Sequence, residues 1–239
     1  MASAPSRGRV LVTGANRGIG LELVIQYARD GYDVVATCRD PQGADSLAEF
    51  AADPDSGGRV AVRKLDLASE ADIDTLAAEL AGAPIDILIG NAAVFGGTRS
   101  RFGDIDWPAW RDALEINLLG SIRVATTLWK NVAASDQHKM VFLSSRAGLP
   151  REATPKRSYV YASSKAALNT AVRCLALDLA PEGVIAVLLN PGHVQTRIGG
   201  KQAPMTPAES VTKMRSVIAG LTPQDAGKFL HFDGSDLKL

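Results

Sequence analysis

The stretch TGANRGIG, residues 13–20, follows the apolar run RVLVTG (9–14) and leads into the helical pattern LELVIQYARDG (21–31). A glycine-dense turn between a strand and a helix lets backbone N–H groups approach a pyrophosphate, and the positive end of the helix dipole adds favourable charge. Gly14, Gly18 and Gly20 are the positions at which a side chain would obstruct that approach. Glycine by itself proves little, because tight turns of any function use it. The setting decides: a strand precedes, a helix follows, and a second strand, YDVVATC (32–38), comes next. Together they predict the opening βαβ unit of a dinucleotide-binding fold.

The same alternation continues along the chain. RVAVRKLD (59–66), IDILIG (85–90), KMVFLS (139–144), GVIAVLL (183–189) and KFLHF (228–232) read as further strands. Most are apolar on both faces, as strands sandwiched between helix layers must be. The longest helical patterns are WPAWRDALEINLLGSIRVATTLWKNVAAS (107–135) and YASSKAALNTAVRCLALDLAPEG (161–183). In the second, Leu168, Ala171, Val172, Leu175 and Leu179 form one apolar stripe, and Pro181 with Gly183 marks its end. This pattern predicts an α/β fold with a parallel sheet covered on both faces. A chain of 239 residues, 46% hydrophobic, has material for one full core, so residues 1–239 are expected to form one domain. The tail after Gly199 is richer in Pro and polar residues and predicts a substrate-side loop and helix at about 199–220.

Composition narrows the function classes. Basic and acidic residues number 26 each, a formal net charge of zero, so no sequence-wide field draws in nucleic acid or an anionic membrane. Cys38 and Cys174 make neither a secreted disulfide framework nor a metal-ligand spacing, which fits a reducing cytoplasm and predicts no metal. The N-terminal MASAPSRGR lacks the apolar core of a signal peptide, and no apolar run approaches the roughly 20 residues of a bilayer span. The expectation is a soluble, cytoplasmic protein whose partner is a small molecule.

SYVYASSKAALN, residues 158–169, sets two phenols and an ammonium group at the head of an otherwise plain helix. Residues four apart share a helix face, whereas residues two apart point to nearly opposite sides. Tyr161 therefore pairs with Lys165, and Tyr159 is expected to cover the helix start or line a pocket mouth. A phenol of ordinary pKa about 10 is a poor acid–base catalyst near neutrality, and an adjacent ammonium favours the phenolate. That pairing predicts proton transfer at Tyr161.

The glycine spacing GxxxGxG resembles the cofactor turn of the short-chain dehydrogenase/reductase family, TGxxxGIG. The resemblance recurs in order along almost the whole chain: LDL (65–67), GNAAV (90–94), EINLLG (115–120), FLSSRAG (142–148), YASSK (161–165) and NPGHVQT (190–196). ATCRDP (36–41) and the terminal FDG resemble the branch of C-factor-like proteins and small carbonyl reductases. The resemblance implies a Rossmann-type doubly wound parallel sheet of about seven strands with helices on both faces. It implies a catalytic set of Ser145, Tyr161, Lys165 and Asn117, with Ser145 preferred to Ser144 because the motif places its serine second. It further implies cofactor contacts from Asn16, Arg17 and Ile19 in the glycine turn. Asp66 and Leu67 would lie at the adenine, Asn91 and Ala92 beyond the fourth strand, and Pro191, Gly192, Val194 and Thr196 at the carboxamide. Lys165 would also hold the nicotinamide ribose hydroxyls, and Asn117 a water linking the lysine to solvent. An asparagine in mid-helix can equally bond to neighbouring backbone.

Charge argues for the cofactor. NAD-type sites place an acid at the end of the second strand, and that carboxylate repels a 2′-phosphate. Here Cys38 stands at that position and Arg39 follows it, with Arg17 offering a second guanidinium, so NADP(H) is favoured over NAD(H). Asp40 could still favour NAD, or pair with Arg39. The expected activity is reversible reduction of a ketone or aldehyde. A non-catalytic NAD(P)-binding signalling protein of the C-factor type is the alternative. GNAA departs from the family's NNAG. The basic residues Arg146, Arg151, Lys156, Arg157, Arg197 and Lys201 raise the question of an anionic substrate, and His193 is placed to line the pocket. The long helices are the faces through which relatives pair, implying a homodimer or homotetramer.

Overall fold

The computed structural model describes residues 5–98, 100–154 and 157–239; Lys156 of the basic loop lies outside them. Each of the expected strands forms: β1 (Arg9–Thr13), β2 (Asp33–Cys38), β3 (Val60–Lys64), β4 (Ile87–Gly90), then β7 (Lys139–Leu143), β8 (Ile185–Asn190) and β9 (Phe229–His231). They make a seven-stranded sheet in the order β3-β2-β1-β4-β7-β8-β9. Every neighbouring pair is parallel, with Thr13 opposite Thr37 and Val12 opposite Ile89. Between β4 and β7 a short antiparallel hairpin, β5 (Ser100–Arg101) and β6 (Asp104–Ile105), stands apart from the sheet.

Helices cover both faces, and strand alternation decides which side chains meet them. Val10, Val12, Val34, Ala36, Ile87, Ile89 and Val141 pack with α1 (Gly18–Arg29), α2 (Asp45–Ala52) and α7 (Pro207–Ala219). Leu11, Val35, Leu88, Met140 and Phe142 point the other way, against α3 (Glu70–Glu79), α5 (Ser121–Ala133) and α6 (Tyr159–Leu179). This is the doubly wound Rossmann-type α/β architecture anticipated from the sequence.

Two local features differ from the sequence reading. The helix expected over 107–135 runs as α4 (Trp107–Leu114), a π turn (Glu115–Gly120) and α5. Such a turn adds a residue to the helical circuit and is often found at functional sites. Here it brings Gly120 against the Leu67 backbone, where a Cβ would sit 2.2 Å from the Leu67 carbonyl oxygen. The helix of the 199–220 segment belongs to the layer over β1 as much as to the pocket. Val211, Met214 and Ile218 join Leu23, Val24 and Tyr27 of α1 in one cluster, and Arg215 pairs with Asp30. Among the described residues, no helix is long and apolar enough to cross a membrane.

Candidate active site

The segments singled out above gather at the carboxyl edge of the sheet, where strand order reverses between β1 and β4. Open α/β sheets take ligands in the crevice at such a point. Gly14 and Gly18 adopt φ of +66° and +55°, left-handed values that side chains resist. A Cβ on Gly14 would come within 2.8 Å of Ala92 Cα, and one on Gly20 within 2.2 Å of the Gly14 carbonyl oxygen. The turn closes only because its backbone is bare.

Thr13 and Asn91 brace it from below. Thr13 Oγ1 accepts from the N–H groups of Asn91 (3.0 Å) and Ala92 (3.1 Å). Asn91 Nδ2 donates to the carbonyls of Thr13 (2.8 Å) and Gly14 (3.0 Å). The Asn91 amide thus shapes the turn, and Thr13 does so without having been anticipated; its only signal was a hydroxyl at a buried strand end. Asn16 is half-buried, and Ile19 packs on the core. Arg17 and Arg39 are exposed at the mouth, with no ion-pair partner among the described residues. Asp40 accepts from the Gly43 N–H (3.2 Å) and is not paired with Arg39. Asp66 accepts from the Ala68 N–H (3.0 Å), and its own N–H donates to the Asp72 carboxylate (3.0 Å), so the LDL turn is internally held. Leu67 is buried.

On the far side of the crevice, Pro191 accepts from the Ser210 hydroxyl (2.7 Å). Gly192 lies where a Cβ would strike the Phe232 ring at 2.8 Å. Val194 is buried, and Thr196 Oγ1 accepts from the Gly199 N–H (3.0 Å). Its methyl group would be 3.3 Å from a Cβ on Gly18, so this loop reaches back to the glycine turn. Bare glycine backbone at the start of α1 with unpaired guanidinium groups beside it fits a dinucleotide phosphate.

The Ser145, Tyr161 and Lys165 side chains expected to carry acid–base chemistry meet at the head of α6. Ser158 caps the helix, its Oγ accepting from the Tyr161 N–H (3.1 Å), a bond worth about 1 kcal/mol that also fixes the Tyr161 backbone. Lys165, one turn on, is buried; its Nζ lies 5.9 Å from the Tyr161 ring centre and donates to the Leu143 carbonyl (2.9 Å). The Ser145 hydroxyl is hydrogen-bonded to the Tyr161 phenol and accepts from the Ala147 N–H (3.1 Å). Ser144 turns the other way and donates to Asn169 (2.5 Å) in the interior. Of the adjacent serines, only Ser145 meets the phenol. Tyr159 leans on Trp110, with ring centres 6.4 Å apart, and faces away from the pair. Phe95 forms the open wall beside the phenol, its ring centre 5.2 Å from that of Tyr161.

Burial reverses one expectation. It pushes the Tyr161 phenol up to about 12, and the Ser145 hydrogen bond only partly opposes this. Burial likewise pushes the Lys165 amine down to about 8. Without cofactor, the cost of desolvating a phenolate outweighs what the Ser145 hydrogen bond provides, so the phenol holds its proton at neutral pH.

Asn117 sits fully buried in the π turn. Its Oδ1 accepts from the Val94 N–H (2.8 Å), while Nδ2 donates to the Val94 carbonyl (2.9 Å) and the Ser164 hydroxyl (2.9 Å). It therefore bonds to distant backbone and clamps the loop after β4 to α6. Asn117→Leu strands the Val94 polar groups and is expected to cost roughly 2–4 kcal/mol, read as a melting temperature lower by several degrees. An unchanged melting temperature would show that the clamp carries no weight.

Two of the cations considered for an anionic substrate are otherwise engaged. Arg146 forks onto both Glu152 carboxylate oxygens at 2.9 Å, and Arg151 donates to the Leu237 and Lys238 carbonyls of the tail. Arg197 and Lys201 are exposed, and His193 Nε2 donates to the Gly199 carbonyl (2.8 Å). Among the described residues, no cluster of His, Cys, Asp or Glu could hold a metal ion.

The chain is similar to known proteins of one family. Residues 8–206 match the sequence profile of the short chain dehydrogenase family. C-signal of Myxococcus xanthus is 38% identical over 154 residues, covering 64% of this chain and 92% of that protein. The carbonyl reductase Sniffer of D. melanogaster superposes with a TM-score of 0.88 at 27% identity, over 97% of this chain and 99% of that one. The NADPH-bound carbonyl reductase from chicken fatty liver does so with a TM-score of 0.88 at 28% identity, over 98% and 100%.

Proposed function

The chain belongs to the short-chain dehydrogenase/reductase family of NAD(P)-dependent oxidoreductases, and we propose that it reduces a ketone or aldehyde to the alcohol with NADPH. The observation that carries this reading is the Tyr161 phenol, hydrogen-bonded to Ser145 and one helical turn from the buried Lys165. The nicotinamide cofactor, when bound, supplies the hydride. The Ser145 hydroxyl orients the substrate carbonyl oxygen and stabilises its developing charge. Tyr161 Oη donates its proton to that oxygen, and in the oxidative direction it takes the proton back. Lys165 steadies the phenolate left behind and would hold the ribose hydroxyls of the cofactor. Asn117, which clamps the Val94 loop to α6, acts as a positioning residue, and a water on it would link Lys165 to solvent. The glycine turn, Asp66, Leu67, Asn91, Ala92 and the segment from Pro191 to Thr196 would hold the remainder of the cofactor. Phe95 bounds the substrate side.

Preference for NADPH rests on Arg39, which follows Cys38 where an NAD-type site carries a carboxylate, and on Arg17 of the glycine turn, both without an ion-pair partner among the described residues. Arg39→Ala removes one charge-assisted contact to the 2′-phosphate. It is expected to raise KM for NADPH about 10–100-fold and leave that for NADH nearly unchanged. Equal effects on both cofactors would place Arg39 away from the phosphate.

The test is NADPH oxidation followed by absorbance with a panel of ketones, aldehydes, quinones and keto acids, with NADH in parallel. Turnover that requires NADPH supports the reading. Tight NADPH binding with no turnover on any substrate would favour a second one, a non-catalytic NADP-binding signalling protein. The C-signal relative motivates that alternative. Assembly as a homodimer or homotetramer through α5 and α6, and a reducing cytoplasm suited to free Cys38 and Cys174, complete the proposal.

A further inference from the structure

A cavity of about 370 Å³ lies at the amino ends of the strands, the sheet edge opposite the glycine turn. Arg7 before β1, Tyr27 and Asp30 at the end of α1, Tyr32 before β2, Gln137 before β7 and Arg215 near the end of α7 line it. Its charge is unbalanced. Asp30 is the only carboxylate among the lining residues, and it is shared with Arg215. Arg7 lies over the Tyr32 ring at 5.6 Å and has no ion-pair partner among the described residues. Behind Gln137, the buried Lys139 donates to the Gln137 side-chain oxygen (3.5 Å) and the Ala219 carbonyl (3.2 Å) and meets no carboxylate among the described residues.

The donors are held in place. The Arg215 guanidinium stacks 4.5 Å from the Tyr27 ring centre, with Nη1 directed to Gln26 (3.4 Å) and Nη2 to Asp30. Its Nε is buried and has no hydrogen-bond partner among the described residues. The Gln137 amide donates to the Tyr32 hydroxyl (3.3 Å), and Tyr27 and Tyr32 meet edge to face at 5.3 Å. A fixed guanidinium with one bare N–H, a free guanidinium at the rim, and phenol and amide groups between them is chemistry suited to an oxyanion. The volume is at the small end of the range for small-molecule sites.

We propose that this cavity is a second binding site, distinct from the cofactor crevice, for a small molecule bearing a carboxylate or phosphate. Its guest bridges the end of α1 to the end of α7, and α1 is the helix that opens at the glycine turn. Occupancy therefore ties together elements that flank the cofactor from the opposite edge of the sheet.

Calorimetric titration at constant ionic strength, with inorganic phosphate and with citrate as probes, tests this on the full chain. The expected result is saturable binding of at least one probe. It should weaken roughly tenfold or more in Arg215→Met and severalfold in Arg7→Ala. A preference for citrate would identify a carboxylate guest, and a preference for phosphate a phosphorylated one. Arg7 is exposed and its guanidinium rests on the Tyr32 ring, so Arg7→Ala decides the matter alone if Arg215→Met fails to fold. Absence of saturable binding by both probes overturns the proposal. So does binding undiminished in Arg7→Ala, which would place the anion elsewhere, as at the cofactor turn.

Discussion

Tyr161→Phe is expected to lower carbonyl reduction by about 10²–10⁴-fold while the protein folds normally and still binds NADPH. The substitution removes one oxygen, whose hydrogen-bond partner is the Ser145 hydroxyl. The ring keeps its contact with Phe95, so packing has little reason to change. What is lost is the proton that must reach the substrate oxygen as hydride arrives. The same group predicts an asymmetry with pH. Burial holds the phenol up to about 12, so the proton-donating form dominates throughout the neutral range and reduction should be nearly flat there. Alcohol oxidation needs the phenolate, and should climb about tenfold per pH unit as that minor form grows. Initial rates in both directions across pH, for wild type and Tyr161→Phe, decide this. A mutant keeping a tenth of wild-type reduction would remove Tyr161 from its role.

Lys165→Met should have two opposite effects, a severe loss of turnover and a gain in stability of the cofactor-free protein. Burial pushes the Lys165 amine from its ordinary 10.5 down to about 8. The unfolded chain therefore binds more protons than the folded one between these values, and stability rises with pH across that window. Below about 8 the full penalty is present, about 3 kcal/mol for a displacement of this size. Above 10.5 both states are neutral and the penalty is gone. Methionine, similar in length and apolar, removes the penalty at all pH but forfeits the bond to the Leu143 carbonyl, worth about 1 kcal/mol. The net gain near pH 7 is roughly 2 kcal/mol, a melting temperature higher by several degrees, shrinking as pH rises from 8 toward 10.5. A mutant less stable than wild type at pH 7 would contradict the account. Functional sites commonly trade stability for chemistry in this way.

The rule that pairs Tyr161 with Lys165 is local. Side chains four positions apart meet on any helix, so the pair was legible without coordinates. The same holds for the seven core strands, whose two-sided apolar runs require burial between helix layers, and for the glycine turn, whose close backbone approaches exclude a Cβ. Because parallel strands in this order leave their carboxyl ends on one edge, the gathering of Gly14, Arg39, Asp66, Asn91, Ser145 and Pro191 there also followed from topology.

Long-range contacts decided the rest. Whether Asn117 bonds its own helix or the Val94 backbone depends on a π turn that no spacing announces. Ser144 and Ser145 differ only in which side of a strand end each faces, toward Asn169 or toward Tyr161. The direction of the Tyr161 displacement is a contest between desolvation and the Ser145 hydrogen bond, and desolvation is a property of everything packed around the phenol. Arg146 and Arg151 left open the question of an anionic substrate, and only the fold shows that Glu152 and the C-terminal carbonyls hold them. Local spacing thus determined the strands, the turn and the Tyr–Lys pair in the sequence itself. Burial and partner choice arise only when segments distant in the chain are brought together, so the charge state of the site and the cavity at its opposite edge belong to the tertiary structure.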